Sequence, residues 1–404
     1  MAIANKYDVI IVGAGPSGSV CANFLGREGH KVLLVDKAKF PRDKTCGDAC
    51  SGKSIAVLRE LGILPEIKKA AHGVNNGVIF SSPKGTVLEI RTDNQDGFVC
   101  RREVLDNIIF KAAKKYVETL EEFTVTDLIK DGEQVVGIVG TNKSGKEMKI
   151  NANIVVGADG AMSTIAQKLG MFEVDPNHHC LAVRGYYDGV TGMKDVIELH
   201  FTKTAIPGYF WIFPYEDGTA NVGLGMLTKD VKSKNVNLKE LMEKEITQNP
   251  SFKERFQNAR LISEIKGWSL PLGSKIRKHI AGKGWLLLGD TASLIDPFSG
   301  EGMGNAMTSG KIAFRTISRA LRLGAYSEKI LGEYEQEIHN ELKKELEMSY
   351  MLQRLGKNEF LLNLVIDKAA RNPEIRKELT TMIVSEEAKK SFSSPMFYLK
   401  LLFS

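Results

Sequence analysis

Apolar and polar positions follow one rhythm in the first 175 residues and another in the next hundred, and the change divides the chain. Residues 9–12 form an unbroken apolar run that meets glycines directly, the pattern of a strand buried on both faces. Helical spacing follows over Pro16–Arg27 up to Gly29, and residues 31–36 give the next buried strand, completing a βαβ unit. Residues 105–116 read as an amphipathic helix. Two alternating runs, 123–129 and 135–139, flank Lys130-Asp131-Gly132, a hairpin turn, and 149–156 leads into Gly157-Ala158-Asp159-Gly160. Beyond about Asp175, strand patterns dominate at 181–187, 196–201, 209–214 and 220–226, followed by a polar helical segment at 238–259. A buried-strand pattern returns at 284–288, and from Ala313 the chain reads as charged helix ending in an apolar tail.

At 404 residues the chain exceeds one small core. The rhythm predicts a discontinuous first domain (1–73, 100–174 and 281–322) and a second domain (74–99 and 175–280). A C-terminal helical region (323–404) completes the division. The net charge of +6 is dispersed. It suits a phosphate-bearing cofactor or an anionic membrane surface, and without a basic stripe interleaved with aromatics it gives no sign of nucleic-acid binding. Five scattered cysteines argue against a disulfide framework and for a reducing compartment. Cys46 and Cys50 are four apart, but no second pair completes a zinc set, so no metal is expected. There is no signal-peptide pattern and no run of membrane-spanning length. The expected location is therefore cytoplasmic, with peripheral contact at the inner membrane face. Phe392, Phe397, Tyr398, Leu401, Leu402 and Phe403, with Lys389, Lys390 and Lys400 nearby, could form an interfacial anchor or pack back on protein.

Candidate chemistry begins at Gly13-Ala14-Gly15-Pro16-Ser17-Gly18, between the first strand and its helix. Glycines allow the tight turn and close approach of backbone to a pyrophosphate, and the helix N-terminus offers N–H groups and partial positive charge. Asp36, followed by Lys37, ends the second strand and is placed to accept from ribose hydroxyls. Gly289-Asp290 follows another buried strand, and Asp290 can bind a ribityl hydroxyl. Asp296-Pro297-Phe298-Ser299-Gly300-Glu301-Gly302-Met303-Gly304 then brings backbone N–H groups and a second helix start to the electron-accepting edge of a flavin. With Asp159-Gly160 and with Arg102 at the head of the 105–116 helix, the order and spacing match flavoproteins of the p-hydroxybenzoate hydroxylase-like class, which implies FAD.

Within that class the chain resembles the geranylgeranyl reductase family. Pro207-Gly208-Tyr209-Phe210-Trp211-Ile212-Phe213-Pro214 is similar to the family's P-x-Y-x-W-x-F-P signature, and Thr45-Cys46-Gly47-Asp48 to its Cys-Gly pair near the flavin. The resemblance implies an α/β fold with a Rossmann-type (glutathione reductase-like) FAD-binding domain, an antiparallel-sheet substrate domain and a helical C-terminal region. It also implies reduction of carbon–carbon double bonds in a polyprenyl lipid or quinone chain by hydride from flavin N5.

On a strand, Tyr209, Trp211 and Phe213 share one face and would wall an apolar slot for the substrate together with Pro214. Cys46 and Tyr209 are the titratable candidates for proton donor, and Cys46-Gly47 would also pack on the flavin. The seven histidines lie outside every motif and are expected on the surface or in loops. Residues 163–166 lack the Arg that aromatic hydroxylases carry after Asp-Gly, and no second GxGxxG is present, so the electron donor is open between a ferredoxin, another flavoprotein and NAD(P)H. Two rivals share the fold. One is a flavin monooxygenase or halogenase, although no W-x-W-x-I-P motif occurs. The other is a non-catalytic electron carrier that binds isoprenoid lipid.

Overall fold

The computed structural model describes residue 4 and residues 6–384, apart from 51, 71–72, 93–96, 276 and 278. The apolar tail lies outside the described residues.

Strand Lys6–Val12 lies in the middle of an eight-stranded sheet, parallel to Val32–Val35 on one side and to Glu147–Gly157 on the other. Glu118–Leu120 extends the first side in parallel and Trp285–Leu287 the second. The chain therefore reverses its winding between Lys6–Val12 and Glu147–Gly157, and the crevice beyond their carboxyl ends is where doubly wound sheets bind ligands. The hairpin Phe123–Asp131/Gln134–Asn142 pairs onto Glu147–Gly157. Helix Pro16–Arg27 lies against helix Met303–Leu323 so closely that a Cβ at Gly310 would sit 2.4 Å from the Ser17 carbonyl oxygen.

The second sheet also has eight strands. Its backbone runs His179–Asp188, Thr219–Leu227, Tyr209–Pro214 and Ile197–His200, antiparallel throughout. Gly77–Ser81 then joins Ile197–His200 in parallel and Val87–Arg91 closes the edge. Two further stretches of the 74–99 segment go elsewhere: Val74–Asn75 and Gly97–Val99 form a small three-stranded sheet with Ala49–Cys50.

All nine residues of Thr219–Leu227 are buried because both faces of the sheet are covered. Phe210, Ile212, Val222 and Leu224 pack with Met242 and Ile246 of helix Leu238–Gln248 on one face. That helix stops eleven residues short of the expected 238–259 because Pro250 keeps Asn249 extended (ψ 122). On the other face Trp211 and Phe213 join Phe201, Ile366, Ile375 and Leu379. The C-terminal helices thus divide: Glu333–Leu355 contributes Tyr334, Ile338, Leu342 and Leu346 to the core of the first sheet, whereas Glu359–Arg371 and Pro373–Val384 lie on the second.

The expectation for histidine is corrected at two positions, since His179 and His200 are buried. His200 sits between Ser81 Oγ at 2.8 Å and Glu198 at 2.9 Å, and Arg255 grips Glu198 with two bonds of 2.6 and 2.7 Å. This closed ion-pair network joins Gly77–Ser81 and Ile197–His200 to the segment beyond Pro250.

Candidate flavin and substrate site

The Gly13–Gly18 turn stands at the crevice of the first sheet. Gly13 has φ +103, and a Cβ there would lie 2.3 Å from the Ala158 carbonyl oxygen, so no side chain fits. Helix Pro16–Arg27 begins with Gly15 as N-cap and no side-chain cap, leaving its first N–H groups for an anion; Ser17 and Gly18 are buried in that first turn. Asp36 crosses over the turn, accepting from Ala14 N and Ala38 N, each at 2.8 Å. Both oxygens keep lone pairs for ribose hydroxyls. Lys37, the next residue, is exposed.

Across the crevice Asp290 lies in the short 3-10 turn Gly289–Ala292. Burial raises its pKa, while Lys44 and Arg102 nearby oppose the rise. Thr291 Oγ1 accepts from Gly160 N at 2.9 Å and so ties this turn to the Asp159-Gly160 turn. The Asp159 carboxylate itself has a local task, accepting from Ser163 Oγ at 2.5 Å and Ile165 N at 3.2 Å at the start of the next short helix. Asp296 Oδ1 shapes the loop that follows, accepting from Phe298 N, Ser299 N and Ser349 Oγ at 3.0, 2.7 and 2.5 Å. Gln353 holds the Pro297 carbonyl at 2.6 Å. Gly300 and Gly302 lead to Met303, where helix Met303–Leu323 starts. Its N-terminus is only partly open, since the Glu301 carboxylate accepts from Gly304 N at 2.6 Å.

Arg102 opens helix Arg102–Lys114, buried and paired with Asp106 through two bonds of 2.7 Å. It also reaches Cys46. Burial raises the Cys46 pKa and Arg102 acts against that rise, so the thiol stays protonated at neutral pH. Gly47 is pressed against the aromatic face: a Cβ there would lie 2.9 Å from Phe213 Cε2. Tyr209, Trp211 and Phe213 do share one face. Their ring centroids are 6.0 and 6.3 Å apart, and Phe201 and Phe298 prolong the row at 6.2 and 5.9 Å. The Tyr209 hydroxyl donates to the Ser299 carbonyl, strapping this sheet to the 296–304 loop. Pro214 alternates onto the face of Phe210 and Ile212, away from the row of rings.

Sequence reasoning passed over Arg42, Lys44 and Asn221, and quoted Asp48 in the Cys46-Gly47 motif without giving it a role. Arg42 Nη2 lies 3.8 Å from a Cβ placed at Gly15, and its Nη1 lies 2.9 Å from Asp106 Oδ2, which sets a cation beside the Gly13–Gly18 turn. The signal was the charged run Arg42-Asp43-Lys44 directly before Thr45-Cys46-Gly47. The glycine cradle, the open helix start and the cations beside Asp290 fit FAD.

Comparison with known proteins follows the same line. A family model described as FAD binding domain matches residues 6–349. A digeranylgeranylglycerophospholipid reductase of Methanocella arvoryzae is 30% identical over 94% of this chain and 100% of its own length. Among solved structures, a geranylgeranyl bacteriochlorophyll reductase-like protein from Thermoplasma acidophilum superposes with TM-score 0.84 at 23% identity, covering 96% of this chain and 95% of that one. A flavin-dependent brominase superposes with TM-score 0.76 at 23% identity over 92% of each chain. At such identities the two structures speak for the fold alone. On the family model and the full-length relative, the chain belongs to the geranylgeranyl reductase family of flavoproteins and is an FAD-dependent oxidoreductase.

Proposed function

We propose that the enzyme saturates carbon–carbon double bonds in the polyprenyl chain of a lipid or quinone. The observation that carries this reading is the aromatic row from Phe213 to Phe298, which lies under the Cys46-Gly47 turn and beside the 296–304 loop. An isoprene chain has no polar group to satisfy, and its burial against such a wall is favourable by about 25 cal/mol per Å². When bound and reduced, FAD supplies the hydride, and an outside donor of the ferredoxin or NAD(P)H class restores it.

Gly13, Gly15, Pro16, Ser17, Gly18 and Arg42 would hold its pyrophosphate, Asp36 its ribose and Asp290 its ribityl chain. Met303, Gly304 and the loop from Pro297 through Gly300 and Gly302 would face its ring. Cys46 Sγ holds a proton for the second alkene carbon, with Arg102 orienting the thiol. Tyr209, whose hydroxyl is committed to Ser299, serves as wall and strap. Trp211 and Phe213 shield the cation-like state of the alkene with their faces. Segments 1–73, 100–174 and 281–322 would form the flavin-holding unit, and 74–99 with 175–280 the substrate unit. Contact with a membrane surface would be peripheral: among the described residues no helix is long and apolar enough to cross one, and Phe360 is 67% exposed beside the second sheet.

The test is single turnover of dithionite-reduced holoenzyme with a geranylgeranyl lipid under argon, read by mass spectrometry. Each reduced double bond should add two hydrogens. Trp211→Ala should slow the reaction about tenfold or more while leaving flavin content intact. An intact alkene, or a halogenated or hydroxylated product formed only with oxygen, would refute the proposal.

A further inference from the structure

The Cys46-Gly47 turn belongs to a connection of the first sheet, yet what holds it is a polar cluster rooted in the second. Asp48 is fully buried, and its Oδ2 accepts three hydrogen bonds of 2.7 Å, from Tyr186 Oη, Tyr215 Oη and Asn221 Nδ2. Its backbone is strained, with φ +71, a conformation that persists only where the surroundings over-determine it and that clusters at functional sites. In this conformation its N–H points back at Cys46 Sγ at 3.3 Å, and its carbonyl accepts from Cys100 N at 2.9 Å.

Asn221 is the second half of the device. Its Nδ2 donates both to Asp48 Oδ2 at 2.7 Å and to the Cys46 carbonyl at 2.8 Å, while its Oδ1 accepts from Trp211 Nε1 at 2.9 Å. The indole N–H can only donate and the Cys46 carbonyl can only accept, so the amide has one orientation and both its hydrogens are used. One side chain therefore sets the Cys46 backbone against the central ring of the aromatic wall. The tyrosines are themselves braced by cations. Arg184 lies 4.3 Å from the Tyr186 ring, and Arg101 lies 4.7 and 5.2 Å from the rings of Tyr186 and Tyr215.

We propose that Asp48, acting with Asn221, is a positioning residue that fixes the Cys46 thiol in register with the Trp211 wall. The proposal rests on the reading of Cys46 and Trp211 given above and deepens it. An amide at position 48 could present its carbonyl oxygen to the same three donors and put its NH₂ where Oδ1 makes no hydrogen bond among the described residues. Asp48→Asn should therefore preserve the geometry that Asp48→Ala removes.

The experiment uses flavin-loaded wild type, Asp48→Ala, Asn221→Ala and Asp48→Asn. It follows alkylation of Cys46 by iodoacetamide, resolved by peptide mass spectrometry, alongside kcat and KM for the geranylgeranyl lipid. Freed from its ties, the turn should open more often, so both alanine variants should alkylate at Cys46 about tenfold faster. Their kcat should fall about tenfold at nearly unchanged KM, the mark of an interaction that serves the transition state rather than binding. Asp48→Asn should match wild type in both readouts. An unchanged alkylation rate in both alanine variants overturns the proposal, and so does an Asp48→Asn protein that behaves like them. Alkylation needs no substrate. A chain that leaves the lipid intact but shows the expected alkylation pattern upholds the positioning role and overturns only the substrate reading.

Discussion

Lys44 sits where a cation is both wanted and penalised. Its ammonium lies 3.4 Å from the centre of the Trp268 ring, yet burial lowers its pKa to about 7, with Asp290 resisting the fall and Arg102 and Arg42 adding to it. In the folded chain Lys44 releases its proton near neutrality, whereas in the unfolded chain it keeps it up to the ordinary lysine range. The unfolded state therefore binds more protons between these limits, and stability rises with pH through that window. Urea unfolding of FAD-free protein should show a gain from about pH 7 to about pH 9 that Lys44→Met lacks; equal slopes would contradict the assignment. Asp290→Ala should purify colourless, and a normally yellow variant would set aside its ribityl role. Asp36, Arg102 and Asp290 were legible because each stands at the end of a strand or the start of a helix that the sequence marks. Asp48 and Arg184 were not, because their partners lie far along the chain: Asn221 is 173 positions from Asp48, and Asp43 is 141 from Arg184.

Elements with a sharp hydrophobic rhythm were read to the residue. Pro16–Arg27 and Tyr209–Pro214 have the expected ends, and the rings of the latter divide between faces as strand alternation requires. Rhythm failed where tertiary packing decided. His200 is polar by type yet lies inside the second sheet because Glu198, Ser81 and Arg255 satisfy it and its neighbours. The parallel pairing of Gly77–Ser81 with Ile197–His200 has no local signature at all. The first turn has little tolerance. Gly13→Ala would force a side chain into φ +103 and against Ala158, costing about 2 kcal/mol or more in stability. Thermal melting should register the loss, and the variant should retain little flavin; a yellow protein with an unchanged melting temperature would show that the turn has room.

For the molecule as a whole, the C-terminal helices matter as much as the two sheets. Ile366, Ala369, Ile375 and Leu379 lie on the same apolar cluster as Trp211 and Phe213, so the last described helices roof the face that the proposed chemistry uses. Ile366→Asp would bury an unpaired carboxylate there and should cost about 3 kcal/mol. The expected result is FAD content near wild type with lipid turnover lost and binding of a hydrophobic dye gained. Loss of flavin alongside turnover would mean instead that the roof also supports the first sheet.

Asp43 is paired with Arg184 and, at 2.9 Å, with Lys266, and Asp48 is tied to Tyr186, Tyr215 and Asn221. The short loop that carries Cys46 is thus riveted at both ends to the neighbouring sheet. A jaw hinged at this seam would have to break a buried carboxylate cluster and an ion pair on every cycle. Loop and sheet should therefore travel together as one rigid piece.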